Sequence, residues 1–407
     1  MLFYLRLAWR NLLRNKRRTF IAGTAIGIGL AALVFVDALM LGMNRHMIRS
    51  ATASFMGEGQ VHRDGYRQKR EIEETIVDPD SVVARLEASP IVDAYARRAY
   101  AFAMIHSPAS AQGVSMVGIE PDHERLLSQI DDVLVEGEYL GGGRREIVIG
   151  SKLAELLEVG IGDRVVVTTA EAHTGNLAQE LFRVTGIYRF NVRELDRTMA
   201  FVGLGKAQQM LGLDGAIHEI AIRFTDPRYG RDENLPLWKE LSAGPNEALG
   251  WTRLMPQLSA ALDLSGFSLL IVGIILFGVV SLGIINTLFM SLYERMFEFG
   301  VLRAVGTRPR TLAQLVVGEA AALALISIVL GLGIAAVCLA IFAHVGIDYT
   351  GIEYAGVTFR DKIFPVPQVV QFVKYPAVVL LLTVVVGLYP AIYAARLEPA
   401  RAMRRSF

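Results

Sequence analysis

The chain has 407 residues, of which 53% are hydrophobic and 20% charged, and its mean hydropathy is +0.39. This composition is too apolar for an ordinary soluble protein, so a membrane class is the first expectation. A formal net charge of +1 excludes a global basic field of the kind that recruits nucleic acid, and the single cysteine, Cys338, can form no intrachain disulfide.

Residues 1–19 carry Arg6, Arg10, Arg14, Lys16, Arg17 and Arg18 and no acidic residue. Leu5, Trp9, Leu12 and Leu13 alternate with the arginines at helical spacing, which predicts an amphipathic helix lying on the inner leaflet. Residues 20–43 form the first run long enough to cross a bilayer, which takes about 20 apolar residues in a helix. The run exceeds a signal-peptide core and no small-x-small cleavage site follows it cleanly, so it reads as a retained span.

Residues 44–264 have the composition of a mixed soluble domain. Strands are predicted over 60–63, 100–105, 114–119, 164–169, 182–188, 199–202 and 219–224, and helices over 122–133, 152–157, 204–211 and 235–243. Strands and helices do not alternate strictly, so an α+β fold is expected rather than a doubly wound sheet. The triple glycine 141–143 is followed by Arg144 and Arg145 and reads as a turn, since no Lys-Ser/Thr pair makes it a phosphate loop. The seven histidines stand singly, without the i, i+4 spacing of a helical metal site, and the chain has neither a G-x-S-x-G elbow nor a Walker A motif. An enzyme in its own right is therefore not expected.

Three further spans are predicted over 265–292, 315–342 and 375–395. The positive-inside bias puts the N-terminus in the cytoplasm. Alternation then places the link 293–314, with Arg295, Arg303, Arg308 and Arg310, on the same side. The tail 396–407, with Arg396, Arg401, Arg404 and Arg405, follows it there. The domain 44–264 and the loop 343–374 fall outside. Asp37 and Glu319 lie within spans, where a charge must face a cavity, a partner or an end. Gly23 and Gly27 make a small-xxx-small face that can seat a second helix or a second membrane subunit.

Segment 293–306 (YERMFEFGVLRAVG) continues the second helix beyond the span, reaches a C-cap at Gly306, and is followed by Pro309. It presents an amphipathic surface of about three turns, with Glu298 and Arg303 near one face and Phe299 and Leu302 beside them. On the residues alone it reads equally as a helix that needs a partner and as a solvated turn held by ion pairs at the lipid surface.

Together with 7–19 (LAWRNLLRNKRRT) and 389–404 (YPAIYAARLEPARAMR), this block resembles the FtsX-like, MacB-type permease family of ABC transporters. Phe299 departs from the aliphatic residue more usual in the family and keeps the site apolar. Segment 57–66 (GEGQVHRDGY) is similar to the opening of the outer domain in lipoprotein-releasing permeases, and 152–167 resembles a strand-helix-strand unit of that domain.

The resemblance implies a bacterial inner-membrane permease subunit that binds no cofactor itself, with ATP and Mg on a partner ATPase dimer. It makes 293–306 the ATPase-coupling helix, with Glu294, Arg295, Glu298, Phe299, Gly300, Leu302, Arg303 and Gly306 as the coupling residues. A second permease, identical or related, is implied, as are a lipoprotein cargo and a periplasmic carrier. Lipid anchors would occupy an apolar groove that opens sideways to the leaflet, formed by the first and second spans of two permeases and lined by Val34, Leu41, Leu269 and Val272. Alternatives within the family are a tripartite efflux permease and a regulator of a periplasmic cell-wall hydrolase.

Overall fold

A run of residues without glycine or proline between Asn44 and Met56 lets the first helix continue beyond its apolar span. A computed structural model describes residues 16–396, apart from Arg144, Asn191, Ala243, Ala355, Gly356 and Arg360. The expected leaflet helix lies almost wholly outside the described residues, as does the basic tail beyond Arg396. Helix α1 runs Lys16–Ala51 and ends in one π turn, Thr52–Met56. Gly57, at φ +76°, closes that turn by donating its N–H to Thr52 O (2.8 Å).

The chain divides into two units. One holds the residues up to Arg45, Asp263–Asp348 and the residues from Lys362 onward; the other holds His46–Leu262 and Tyr349–Asp361.

In the first unit, α10 (Pro256–Glu294), α11 (Met296–Ala304), α12 (Pro309–Val345) and α13 (Gln371–Ala395) join α1. Helices α1, α10, α12 and α13 are long and apolar enough to cross a membrane. Proline at the first position of α10 and of α12 sets where each begins, because its missing N–H has no partner to lose there. A Cβ added to Gly27 would lie 3.0 Å from Gly331 N and Ser327 O, so α1 and α12 touch backbone to backbone. Ser327 and Thr383 return their hydroxyls to Leu323 O (2.8 Å) and Val379 O (2.7 Å), which satisfies both within their own helices. After α12 the chain crosses α1: Val366 N–H donates to Ala38 O (2.9 Å), and Gly42 admits the Phe364 carbonyl against the helix backbone.

The second unit contains β1 (Gly59–Arg63), α2 (Tyr66–Lys69), α3 (Pro79–Ala88), β2 (Val92–His106), β3 (Ala111–Ile119) and α4 (Pro121–Leu127). Next come β4 (Leu134–Gly137), β5 (Glu146–Gly150), α5 (Ser151–Leu157), β6 (Arg164–Ala170) and β7 (Leu177–Tyr188). The remainder is α6 (Arg193–Thr198), β8 (Met199–Gly203), α7 (Leu204–Leu211), β9 (Glu219–Phe224), α8 (Pro236–Leu241), β10 (Asn246–Gly250) and α9 (Trp251–Leu254). A two-strand hairpin, β11 (Glu353–Tyr354) and β12 (Val357–Thr358), belongs to the same unit, as does Phe359, whose ring stacks on His46 at 5.6 Å.

The strand order is β10-β1-β9-β2-β3-β8-β5-β7-β4, and β6 pairs with both β2 and β7. Strands β2, β3, β8, β5, β7 and β6 thus form a closed circuit of pairings. Pairs β3–β8 and β5–β7 are parallel and the others antiparallel, so the domain is α+β as expected. Alternation puts Ala101, Ala103 and Ile105 of β2 into one core with Val167, Phe182 and Val202. Helix α7 adds Ala207 and Met210, and Gly118 leaves the space that Ala207 fills. Strand β1 follows α1, and its neighbour β10 leads into α9 and α10, in the register Gly59↔Gly250. Both connections to the spanning helices therefore leave from adjacent strands.

Three departures from the sequence reading have local causes. Strand β2 begins at Val92 rather than at Tyr100, because Ala94, Ala96 and Arg98 continue the buried alternation. Helix α4 stops at Leu127, since Ser128 is extended and Ile130 turns into the core. The segment 152–167 holds α5 and the start of β6, while the strand that precedes them is β5, behind the triple glycine.

Candidate functional site

The residue that follows the second spanning helix is charged, yet its side chain is mostly withdrawn from solvent. Arg295 sits between α10 and α11 with φ −113° and ψ 14°, which breaks the helix into an elbow. Its Nη1 donates to Glu319 Oε1 of α12 (2.6 Å), its Nε donates to Glu298 Oε2 (2.9 Å), and its guanidinium lies 5.2 Å from the centre of the Phe299 ring. Phe299, 1% exposed, packs with Leu292, Met296, Leu312, Leu315 and Ala391. Helix α11 is therefore folded back on α12 and α13 through one ion-paired corner and one apolar face.

The far end of α11 is closed by its own backbone. Gly306, at φ +97°, donates to Arg303 O (3.1 Å) and Thr307 N–H reaches Leu302 O (3.0 Å), a Schellman arrangement. Arg308 and Pro309 then open α12. The outward side carries Phe297 (50% exposed), Leu302 (41%), Val301 and Val305 (83%). Such apolar surface at a helix elbow, outside the apolar body of the span, is what a partner groove buries.

The coupling residues predicted from the sequence divide between these two sides. Phe299 and Gly300 are buried within the bundle, while Leu302 and Glu294 are exposed, so Phe299 and Leu302 do not share a surface. Arg295 and Glu298 form the internal corner, and Arg303 lies over the helix end with Nη1 donating to Thr307 O (3.3 Å). Phe297, Val301 and Val305 were not singled out from the sequence; their apolar character inside an already apolar block gave no contrast.

The four groove positions also separate. Val34 has no exposed surface and belongs to the bundle core with Leu30, Leu33, Val280 and Ile284, which corrects its expected place on an open groove. Leu41 and Leu269 are half-buried and Val272 is exposed. Gly23 and Gly27 face Ile326, Ser327, Leu330 and Gly331 of α12, so that face seats a helix of the same chain. Glu319 is the buried partner of Arg295, and Asp37 interacts with the Tyr375 hydroxyl.

A second polar cluster lies inside the domain. Arg98, fully buried, donates Nε to Glu124 Oε2 (2.9 Å), Nη2 to Glu124 Oε1 (2.6 Å) and Nη1 to Glu219 Oε1 (2.7 Å). Glu219 also accepts from the Tyr100 hydroxyl (3.0 Å) and lies 3.3 Å from His62 Nε2. Burial pushes the Glu219 carboxyl up, but His62 and Arg98 outweigh it and hold it down to about 2. His218 accepts the Tyr100 N–H on Nδ1 (3.0 Å), so its Nε2 carries the proton donated to Ile72 O (2.8 Å).

Four apolar spans, an α+β domain inserted after the first, and an elbow helix after the second define a membrane permease subunit. Residues 19–229 match the MacB-like periplasmic core domain, and residues 270–399 match the FtsX-like permease C-terminal domain. The chain belongs to this family of ABC transporter permeases, multi-pass proteins of the inner membrane. The lipoprotein-releasing system transmembrane protein LolC of Xylella fastidiosa (strain 9a5c) is 25% identical, over 96% of both chains. LolC of Neisseria meningitidis serogroup B is 24% identical over 74% of both. Among solved structures, the periplasmic region of MacB from Actinobacillus actinomycetemcomitans matches with a TM-score of 0.35 and 12% identity, over 51% of this chain and 94% of that one.

Proposed function

We propose that this permease converts ATP hydrolysis on a separate cytoplasmic ATPase dimer into movement of its domain, and that the movement releases lipoproteins from the inner membrane to a periplasmic carrier. Both termini and α11 face the cytoplasm in this reading, and the domain lies in the periplasm. Exposed Lys16, Arg17, Arg308, Arg310 and Arg396 support the orientation, since alternating spans carry all five to one end. ATP and Mg belong to the partner.

The observation that carries the reading is the braced elbow. The exposed face of α11 offers Phe297, Val301, Leu302 and Val305 to a groove, and the Arg295–Glu319 pair joins the same helix to α12. A push on that face therefore moves spanning helices rather than a free loop. Lipoprotein cargo is supported by the similarity to lipoprotein-releasing transmembrane proteins and by exposed apolar surface on α10, where Val272 lies beside half-buried Leu269. A second permease completes the groove.

A photocrosslinker at Leu269 or Val272 in living cells tests the cargo. Capture of acylated proteins is expected, and persistent failure to capture any, with the protein well expressed, sinks the lipoprotein reading. The MacB-like match over 19–229 favours an efflux or mechanotransmission permease as the second reading. Stimulation of ATPase activity by a small amphiphile but not by an acylated protein would select it, and co-purification of a cell-wall hydrolase would instead select the regulator role.

A further inference from the structure

The upper end of α1 belongs to the domain unit from His46 onward, and its carbonyls are taken up by domain groups. Gln129 N–H donates to Ala53 O (3.0 Å), and Gln60 Nε2 donates to Met56 O (2.7 Å). These bonds satisfy carbonyls that a helix end leaves without partners. In the middle of the turn, Phe55 is 3% exposed and meets Phe201 at 5.1 Å between ring centres. The Arg98 guanidinium lies 3.8 Å from the centre of the Phe55 ring. That guanidinium has no freedom, because Glu124 from α4 and Glu219 from β9 hold its three nitrogens. A desolvated cation over an aromatic face is among the stronger contacts of its kind.

We infer that Phe55 under the ion-clamped Arg98 is a rigid joint, so that the last turns of α1 and the domain sheet move as one body. Arg98 is a positioning residue: it acts through Phe55. The inference rests on the proposed motion of the domain, and it assigns where that motion is transmitted. The turn would otherwise be the natural place to bend, since a π turn followed by a glycine at positive φ is the least regular part of the helix. The second connection has a counterpart: Arg67 Nη2 donates to Leu254 O (2.9 Å), at the residue that precedes Met255 and α10.

The test uses the full chain with its ATPase partner in lipid nanodiscs, with Cys338→Ser and spin labels at the exposed positions Arg49 and Lys152, both in the domain unit. Pulsed electron resonance is expected to give one narrow distance that is the same with and without trapped nucleotide. Phe55→Leu is expected to broaden it, Phe55→Tyr to keep it narrow, and the neutral triple variant Arg98→Met, Glu124→Gln, Glu219→Gln to broaden it without loss of fold. The melting midpoint of each variant is read alongside. A broad or nucleotide-shifted distance in the unmodified joint overturns the inference. So does a Phe55→Leu variant that melts lower yet keeps the narrow distance, since that is a structural role only. The nucleotide-free distance does not depend on ATP coupling, so an inactive complex would count against the proposed function while leaving the joint to be judged by its width.

Discussion

Arg295 and Glu319 meet at 2.6 Å where the second spanning helix turns into the elbow, and neither side chain is more than 13% exposed. The pair joins residues 24 positions apart and gives each intramembrane-edge charge its counter-charge. Removing one partner leaves the other's charge only partly compensated in a mostly buried corner, at a cost of up to about 3–5 kcal/mol. Glu319→Gln and Arg295→Met should each lower the thermal midpoint of the purified protein. Arg295→Met with Glu319→Leu should recover much of the loss without restoring ATP-driven release.

The two sides of α11 should respond differently. Phe299→Ala opens a cavity in a packed cluster and should destabilise by about 3–5 kcal/mol. Val305→Asp, at an exposed position, should leave the melting midpoint nearly unchanged while co-purification of the ATPase falls away. Equal ATPase recovery with both variants would remove the outward face from the account.

Helix α1 should not tolerate side chains at Gly27. A Cβ there already meets the backbone of α12 at 3.0 Å, and Val or Leu would force the helices apart at about 1–3 kcal/mol. Gly23→Ala, where the nearest atom would be a side-chain methyl at 3.5 Å, should be mild. Thermal unfolding of the two variants in one detergent separates them.

The domain should lose stability on acidification in two stages. Burial pushes the His218 imidazole down, and the Ile72 carbonyl and Glu219 offset this only in part. The unfolded chain therefore takes up a proton near pH 6.5 that the folded domain refuses, and stability falls as pH drops below about 6.5. Glu219 is held down to about 2, so the unfolded carboxyl protonates first and a second loss runs from about pH 5 toward 2. Melting midpoints of the full protein between pH 8 and pH 4 should show the first stage, and His218→Gln should flatten it.

The spans were legible because an apolar helix of that length has no other stable setting. Their ends were less so: α1 and α10 extend past the apolar runs until Gly57 and from Pro256, where nothing in hydropathy marks a stop. The elbow block was legible as a motif, yet its inward and outward faces were not, since Phe297, Phe299, Val301 and Leu302 are all apolar and only the fold separates them. Glu319 stood out as a charge within a span, but its partner lies in a different helix and at no helical spacing. Arg98 was hidden beside Arg97 in a pair that reads as solvated; only the buried alanines at 94 and 96 hinted that the strand continued inward. Strand β5 was masked by the glycines and arginines before it.

Release of an acylated protein per ATP hydrolysed, measured with the full chain and its ATPase reconstituted in one bilayer, bears most directly on the whole scheme. The account predicts nucleotide-dependent release to an added carrier that disappears with Val305→Asp, although that variant remains folded. Undiminished release by the variant, or sustained hydrolysis by the intact complex with the acylated protein never leaving the membrane, would contradict it.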